Sequence, residues 1–585
     1  MKKIEHSRNF KILTSILLLF SICMGIIICD RAVSNTSAKA HSGKRSGRKI
    51  KDHKVSSDLR ERVHKSNGVE LISVIVQSAD DDSGDESDDT LNARISKYRA
   101  KKRRRFKNLN ARVVEMPADK VEELALDDEV SYVSLDRDIE QLGHITTTTG
   151  AAAVRTQTNG WTTTTLDGTG IGIAVLDSSI FNAHESFLGT NGITRIKTNR
   201  NFANDAMQTD DPYGHGTHVA SLAAGNNRLA SGAYTGIAPN ANIINLRVLN
   251  SQGRGSISNL LAAFDWIITN RTAYNIRVVN MSLGTTAVDS YQNDPLCKAV
   301  RRLVDAGIVV VAAAGNDGKD SLGNKVYGAI HSPGNEPSAI TVGASNTFGT
   351  DARDNDSIAT YSSRGPTRSF WTDAAGIKHH DNIVKPDLVA PGNKVIAAEA
   401  KDNYFVTNNP QLHVDTSTIN DNKKMMYLSG TSMAAPVAAG AAALLLQANP
   451  KLTPNMVKMI LQYTAQQIAG YNQFEQGAGQ LNIEGAVRLA KLVRTDLTNA
   501  TALGTPLLTT STLPTAETNL AGHAFSWSGG LILNHGFATG TDLITKYQKI
   551  YGTGVLISDG VLMSDGVLMS DGVLMSDGVL MSDNI

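Results

Sequence analysis

The sequence predicts an α/β protein built on a central, mostly parallel sheet, and three observations carry that prediction. Nearly continuous apolar runs recur through the middle of the chain, at 170–177 (GIGIAVLD), 242–249 (NIINLRVL), 276–283 (IRVVNMSL), 307–315 (GIVVVAAAG) and 339–345 (AITVGAS). Strands that read this way are buried on both faces, as in a parallel sheet covered by helices. Helical patterns such as 258–271 (SNLLAAFDWIITNR) lie between the runs, which makes the class α/β. Finally, Asp177, Ser282 and Asn316 fall at the carboxyl ends of runs, where open parallel sheets gather their ligand groups.

Composition is consistent with a globular chain. It has 585 residues, 41% of them apolar, and a formal net charge of +1, so no global field draws it to nucleic acid or to an anionic membrane. The N-terminus starts basic and continues in an apolar run over 12–29, with Ala38-Lys39-Ala40 as a small-x-small cleavage candidate. Residues 1–40 therefore read as an export signal, or as a membrane anchor if they are not cleaved. Of three cysteines, Cys23 and Cys29 lie in that segment, which leaves Cys297 alone in the body and no intrachain disulfide framework. Cys297 reads as a small core residue on a helix.

A compact unit follows over 66–140. It opens on a strand at 69–77 (VELISVIVQ), an acidic loop (DDDSGDESDD) and a helix candidate from Thr90. It continues with a strand at 109–117 (LNARVVEMP), a helix at 118–128 (ADKVEELALDD) and a strand at 129–137 (EVSYVSLDR). Asp119 and Glu122 mark the second helix's first turn, and Val121, Leu124 and Ala125 share one face. The basic run KKRRR at 101–105 has no interleaved aromatics and reads as solvated surface.

Three motifs in the larger region carry chemistry. Asp177 ends a buried run, His215 sits in YGHGTHVASLAAG, and Ser432 sits in GTSMAAP just before a run of small residues. Singly, each has an ordinary structural reading as a strand-end cap, a structural histidine or a helix start. In the order Asp, His, Ser, and with GIAPNANIINLRVL, VVNMSLG, VVVAAAGND, YSSRGP, KPDLVAPG and GTSMAAPVAAG alongside, the stretch 150–490 resembles the subtilisin-like serine proteases. The resemblance implies a three-layer fold around the sheet, with Ser432 as nucleophile, His215 as general base and then acid, and Asp177 as the carboxylate that orients the imidazole. It assigns His218 a structural role and makes Asn316 the side-chain donor to the oxyanion, with the Ser432 N–H as the second donor.

The chemistry agrees with the resemblance. A serine hydroxyl is a poor nucleophile near neutrality without a base, and an imidazole can cycle between its two forms there. The resemblance also implies that Gly253-Arg254-Gly255 and Ser282-Leu283-Gly284, which match the segments that in the family pair with an extended peptide, bind substrate backbone, so protein and peptide substrates of broad sequence are expected. Ala313, Ala314 and Gly315 suggest a roomy apolar pocket, and Arg254 suggests a preference for acidic side chains upstream of the scissile bond. Ser179 departs from the family, which has glycine there, and Pro436 conflicts with a helix after Ser432.

The unit at 66–140 resembles the family's inhibitory propeptide, a small α+β ferredoxin-like prodomain acting as intramolecular inhibitor, with self-cleavage expected between 138 and 149. Residues 145–495 form the expected catalytic domain, 496–550 read as a linker and short extension, and 554–583 are five copies of a six-residue unit with no function assigned. No cofactor is expected for catalysis; structural calcium is common in the family, and no ligand set can be mapped from these residues. The leading expectation is an exported, self-processing serine endopeptidase. The alternatives are a catalytically inactive subtilisin-like surface scaffold or adhesin, and a membrane-tethered processing enzyme.

Overall fold

The computed structural model describes residues 54–66, 70–78, 95–106, 110–136, 145–159, 162–203, 210–415, 418–498 and 500–552. The segment read as an export signal, the acidic loop, the start of the helix expected from Thr90 and the six-residue repeats lie outside these residues, as does most of the expected processing stretch. The chain divides into two compact units, Met1–Ile139 and Glu140–Ile585.

The first unit holds a four-stranded antiparallel sheet with the order Lys101–Phe106, Ala111–Pro117, Leu71–Ser78, Val130–Leu135. That is the strand order of a ferredoxin-like β-α-β-β-α-β unit. Its core joins Ile72, Val74 and Val76 to Val121 and Leu124 of the helix Val121–Ala125, the face that periodicity predicts. The basic run KKRRR, to which the sequence reading gave no secondary structure, is part of the outer strand Lys101–Phe106, paired with Ala111–Pro117 across a bulge, and Lys101 and Arg104 are exposed as a solvated surface requires. Charge on an edge strand discourages further pairing, and charge pattern alone does not specify the backbone state.

The second unit is organised by an eight-stranded sheet. Its path runs Ser357–Ile358, Ile340–Asn346, Val309–Ala313, Ile276–Met281, Gly172–Asp177, Asn242–Arg247, Ile196–Asn201, and Leu388–Pro391 pairs with Ile340–Asn346 off this path. All pairings are parallel except that of Ser357–Ile358. All five apolar runs are thus strands of one sheet. One core packs beneath the helices Ile257–Asn270 and Pro295–Asp305 and the other against Thr431–Ala448. Cys297 is buried on Pro295–Asp305, where its thiol donates to Asn335 Oδ1 at 3.2 Å and burial pushes its pKa up. A thiol held neutral in this way is inert.

Among the described residues only Thr431–Ala448 is long and apolar enough to cross a membrane, and 83% of it is buried in the protein. It is the central core helix. Pro436 sits inside it, where a proline leaves the carbonyl four residues earlier without its helical donor. That carbonyl belongs to Ser432, and the Ser282 hydroxyl donates to it at 2.7 Å. The helix continues through the proline that conflicted with it, and a residue just past a neighbouring strand end supplies a donor in place of the missing one. Gly440 lets it approach the helix His215–Ala224: a Cβ there would fall 2.9 Å from the Ala223 carbonyl.

The region read as a linker also differs from expectation. Hairpins formed by Glu517–Leu520 with His523–Ser526 and Gly530–Leu533 with Gly536–Thr539 lead into a packed segment. Trp527, Leu531, Leu533, Leu543, Tyr547 and Tyr551 join the main core. These buried residues lie past the Thr-rich stretch 495–519, in short apolar clusters that show no sustained helical or strand period.

Candidate active site

Asp177, His215, Asn316 and Ser432 come from four separate elements, and the fold brings three of them directly into one cleft. The cleft holds about 570 Å3 and is lined by His215, Asn316, Ser432, Gly253, Gly255, Ser282, Leu283 and Gly284 among others. Asp177 lies beneath it with a side chain 1% exposed, and its Oδ1 receives His215 Nδ1 at 2.8 Å. Burial alone would lower the imidazole pKa, but the charge of Asp177 and its hydrogen bond raise it above the ordinary value. With Nδ1 engaged, Nε2 is the nitrogen left for proton exchange.

The neighbouring His218 plays another part. It is fully buried, its Nε2 lies 3.1 Å from the Val395 carbonyl and 3.2 Å from that of Met426, and burial drives its pKa down to about 3. A neutral imidazole tied to two carbonyls is a structural tie, as the sequence reading assigned it.

The three hydroxyls ahead of the core helix have separate uses. Ser429 Oγ accepts the Lys394 N–H at 2.8 Å. Thr431 is buried, its N–H donates to Asn316 Oδ1 at 2.9 Å, and its hydroxyl lies 3.1 Å from the same oxygen. Because Oδ1 is committed to these donors, the Asn316 Nδ2 is left to donate elsewhere. Ser432 Oγ lines the cleft and donates to the Ser282 carbonyl at 3.0 Å. Its N–H lies in the first helical turn, where no intrahelical carbonyl is available.

Two supports escaped sequence reasoning. Asp211, buried, accepts from Ser178 Oγ (2.8 Å), Gly214 N (2.9 Å), Thr217 N (2.8 Å) and Thr217 Oγ (2.7 Å). It ties the loop after Asp177 to the helix that begins at His215; the only sequence signal was a carboxylate shortly before YGHGTH. The motif YSSRGP holds the Asn316 loop, since Ser363 Oγ accepts the Asp317 N–H at 3.0 Å and Ser363 N donates to the Gly315 carbonyl at 3.0 Å.

Other expectations are modified. Ala313 and Gly315 line the cleft, whereas Ala314 is fully buried. Asp317 and His331 also line it, joined at 2.6 Å, so the pocket is not simply apolar. Gly253 and Gly255 line the cleft, while Arg254 between them is exposed and lies outside that lining. Ser179 adopts φ +118, a backbone region that favours glycine. Among the described residues no three His, Cys, Asp or Glu side chains assemble as a metal site, so calcium ligands stay unmapped.

Residues 168–486 match the model of the subtilase family of peptidases. The chain is 35% identical over 399 residues to serine protease AprX of Bacillus subtilis (strain 168), covering 66% of this chain and 81% of that protein. It is 30% identical over 389 residues to an alkaline protease of Alkalihalobacillus alcalophilus, covering 66% and 80%. An extracellular serine proteinase of Thermus sp. (strain Rt41A) is 31% identical over 359 residues, covering 60% of this chain and 70% of that protein.

Proposed function

This chain belongs to the subtilase family of subtilisin-like serine proteases, and from that premise we propose that it is an exported endopeptidase, made as a zymogen, that uses Ser432, His215, Asp177 and Asn316. The observation that carries the proposal is the 2.8 Å His215–Asp177 hydrogen bond beneath a cleft lined by Ser432 and Asn316.

In the proposed mechanism the Ser432 hydroxyl turns from the Ser282 carbonyl toward His215 and attacks the scissile carbonyl carbon. Its proton passes to His215 Nε2, and Asp177 stabilises the imidazolium that forms. The carbonyl oxygen becomes an oxyanion and accepts from Asn316 Nδ2 and the Ser432 N–H. The C–N bond then breaks as His215 returns the proton to the leaving amine, leaving an acyl ester on Ser432. Water, deprotonated by His215, cleaves the ester and restores the hydroxyl. Gly253, Gly255 and the segment Ser282-Leu283-Gly284 would pair with substrate backbone, which gives broad specificity. Its apolar leaning would be moderated by the Asp317–His331 pair. An exposed Arg254 leaves room for a weak preference for acidic side chains upstream.

The unit at 66–140 is assigned as the inhibitory propeptide. Residues Ile145–Thr148 form a helical turn and Thr149 is buried, and a protease needs an extended strand. The cut is therefore expected between 138 and 144. Export is supported by the N-terminal segment and by the relative named as extracellular.

The test compares intact masses of wild type and Ser432→Ala, both expressed without residues 1–40. Wild type should split near 138–144 and digest casein, while the variant stays whole and inactive. If both stay whole and wild type leaves casein intact, the scaffold reading replaces this one.

A further inference from the structure

This inference rests on the peptidase reading and concerns what the cleft selects. One wall of the cleft is aromatic and comes from two segments far apart in the chain. The Tyr213 ring lies 4.8 Å from that of Phe405 and is stacked 5.7 Å from that of Tyr404. Tyr213 and Phe405 each lie 6.4 Å, centroid to centroid, from the His215 imidazole. Both line the cleft, and Tyr404 beside them is 52% exposed.

The wall is fixed in place. Tyr404 N–H donates to the Pro212 carbonyl at 2.8 Å, and Asn403 Oδ1 caps Val406 N at 3.0 Å. A Cβ on Gly214 would fall 2.7 Å from Asn403 Cβ, so the two segments are in direct contact. Tyr213 also lies against Gly253, where a Cβ would fall 2.3 Å from its ring. The aromatic surface thus spans from the proposed general base to a segment expected to pair with substrate. None of its atoms is required for the proton transfers.

Successive side chains of an extended peptide point to opposite faces. When one enters the pocket beside Ala313 and Gly315, its neighbour is directed to the His215 side of the cleft. We propose that Tyr213, Tyr404 and Phe405 form a specificity wall that binds an apolar or aromatic substrate side chain, one residue before the scissile residue, against the His215 ring.

Enzyme purified from the full chain is assayed on peptides that differ only at that position, carrying Gly, Asp, Leu or Phe. Wild type should favour Phe and Leu over Gly in kcat/KM. Phe405→Ala and Tyr404→Ala should each shrink that ratio about three- to tenfold, the size of one lost aromatic contact, chiefly through KM. Tyr404, being half exposed, provides the test if Phe405→Ala melts early. Equal cleavage of all four peptides, or a preference that survives both substitutions, overturns the wall alone. An enzyme that cleaves none of them overturns the peptidase reading and the wall with it.

Discussion

The Thr431 N–H donates to Asn316 Oδ1 at 2.9 Å, and this contact decides which end of the amide can serve an oxyanion. The expected outcomes separate donor from support. Asn316→Ala should lower kcat roughly 10²- to 10³-fold, a range known from a subtilisin and not deduced from this geometry. Thr431→Val keeps the N–H bond and removes a hydroxyl that also accepts the Gly315 N–H at 3.1 Å; a loss of about tenfold or more in kcat with little change in KM is expected, because a buried donor is left unpaired. Steady-state kinetics on one peptide checks both.

Activity should require neutral His215. Burial opposes its charge, but Asp177 outweighs burial and raises its pKa, so the acid limb of kcat/KM should lie above the pH of an ordinary imidazole. Asp177→Asn should move that limb down and reduce kcat roughly 10²- to 10⁴-fold. In stability terms, a raised value means that the protonated form is favoured on folding. That contribution is complete below about pH 6.5 and is lost as pH rises through the folded value.

Two other histidines act in the opposite sense. Burial lowers His184 to about 4 and His218 to about 3. The unfolded chain therefore binds more protons between about pH 6.5 and those values, and stability should fall as pH drops through that window. Urea midpoints measured from pH 7 to pH 4 should decline, and His184→Gln should flatten the slope. A flat wild-type series would contradict the assignment.

Ser179 combines an unfavourable backbone with a buried side chain, since its hydroxyl accepts from Asn245 Nδ2 at 3.3 Å and φ is +118. Ser179→Ala keeps the backbone cost and loses the bond, so it should destabilise by about 1 kcal/mol. Ser179→Gly relieves the backbone and should be neutral or stabilising by about 1 kcal/mol. Denaturant midpoints of the two variants should thus fall on opposite sides of, or unequally about, wild type.

The C-terminal segment is expected to be indispensable to the catalytic unit. Trp527 is buried in the main core, its Nε1 donates to Thr518 Oγ at 3.0 Å, and Ser528 N donates to the Ala465 carbonyl at 2.7 Å. Trp527→Ala should cost about 3–5 kcal/mol, and a chain ending at residue 500 should lose its cooperative melt. A soluble, active truncation would return the segment to the status of linker.

The sheet strands were legible because a strand buried on both faces must be apolar throughout, and that requirement writes itself into contiguous residues. His215, Ser432 and Asn316 were legible because each sits in a short motif whose glycines and small residues serve a local need: a helix start, a close helix contact, a tight loop. The edge strand at Lys101–Phe106 and the packed C-terminal segment were not, because charge and irregular spacing admit several environments. Sequence alone therefore determined the parallel-sheet class, five of the sheet's eight strands and the candidate reactive side chains. Tertiary structure decided what surrounds them. The Ser282 hydroxyl answering Pro436, the Thr431 grip on Asn316, the Asp211 clamp and the Tyr213–Phe405 wall all join residues distant in the chain. Such contacts depend on which elements pack together, and no local pattern encodes them.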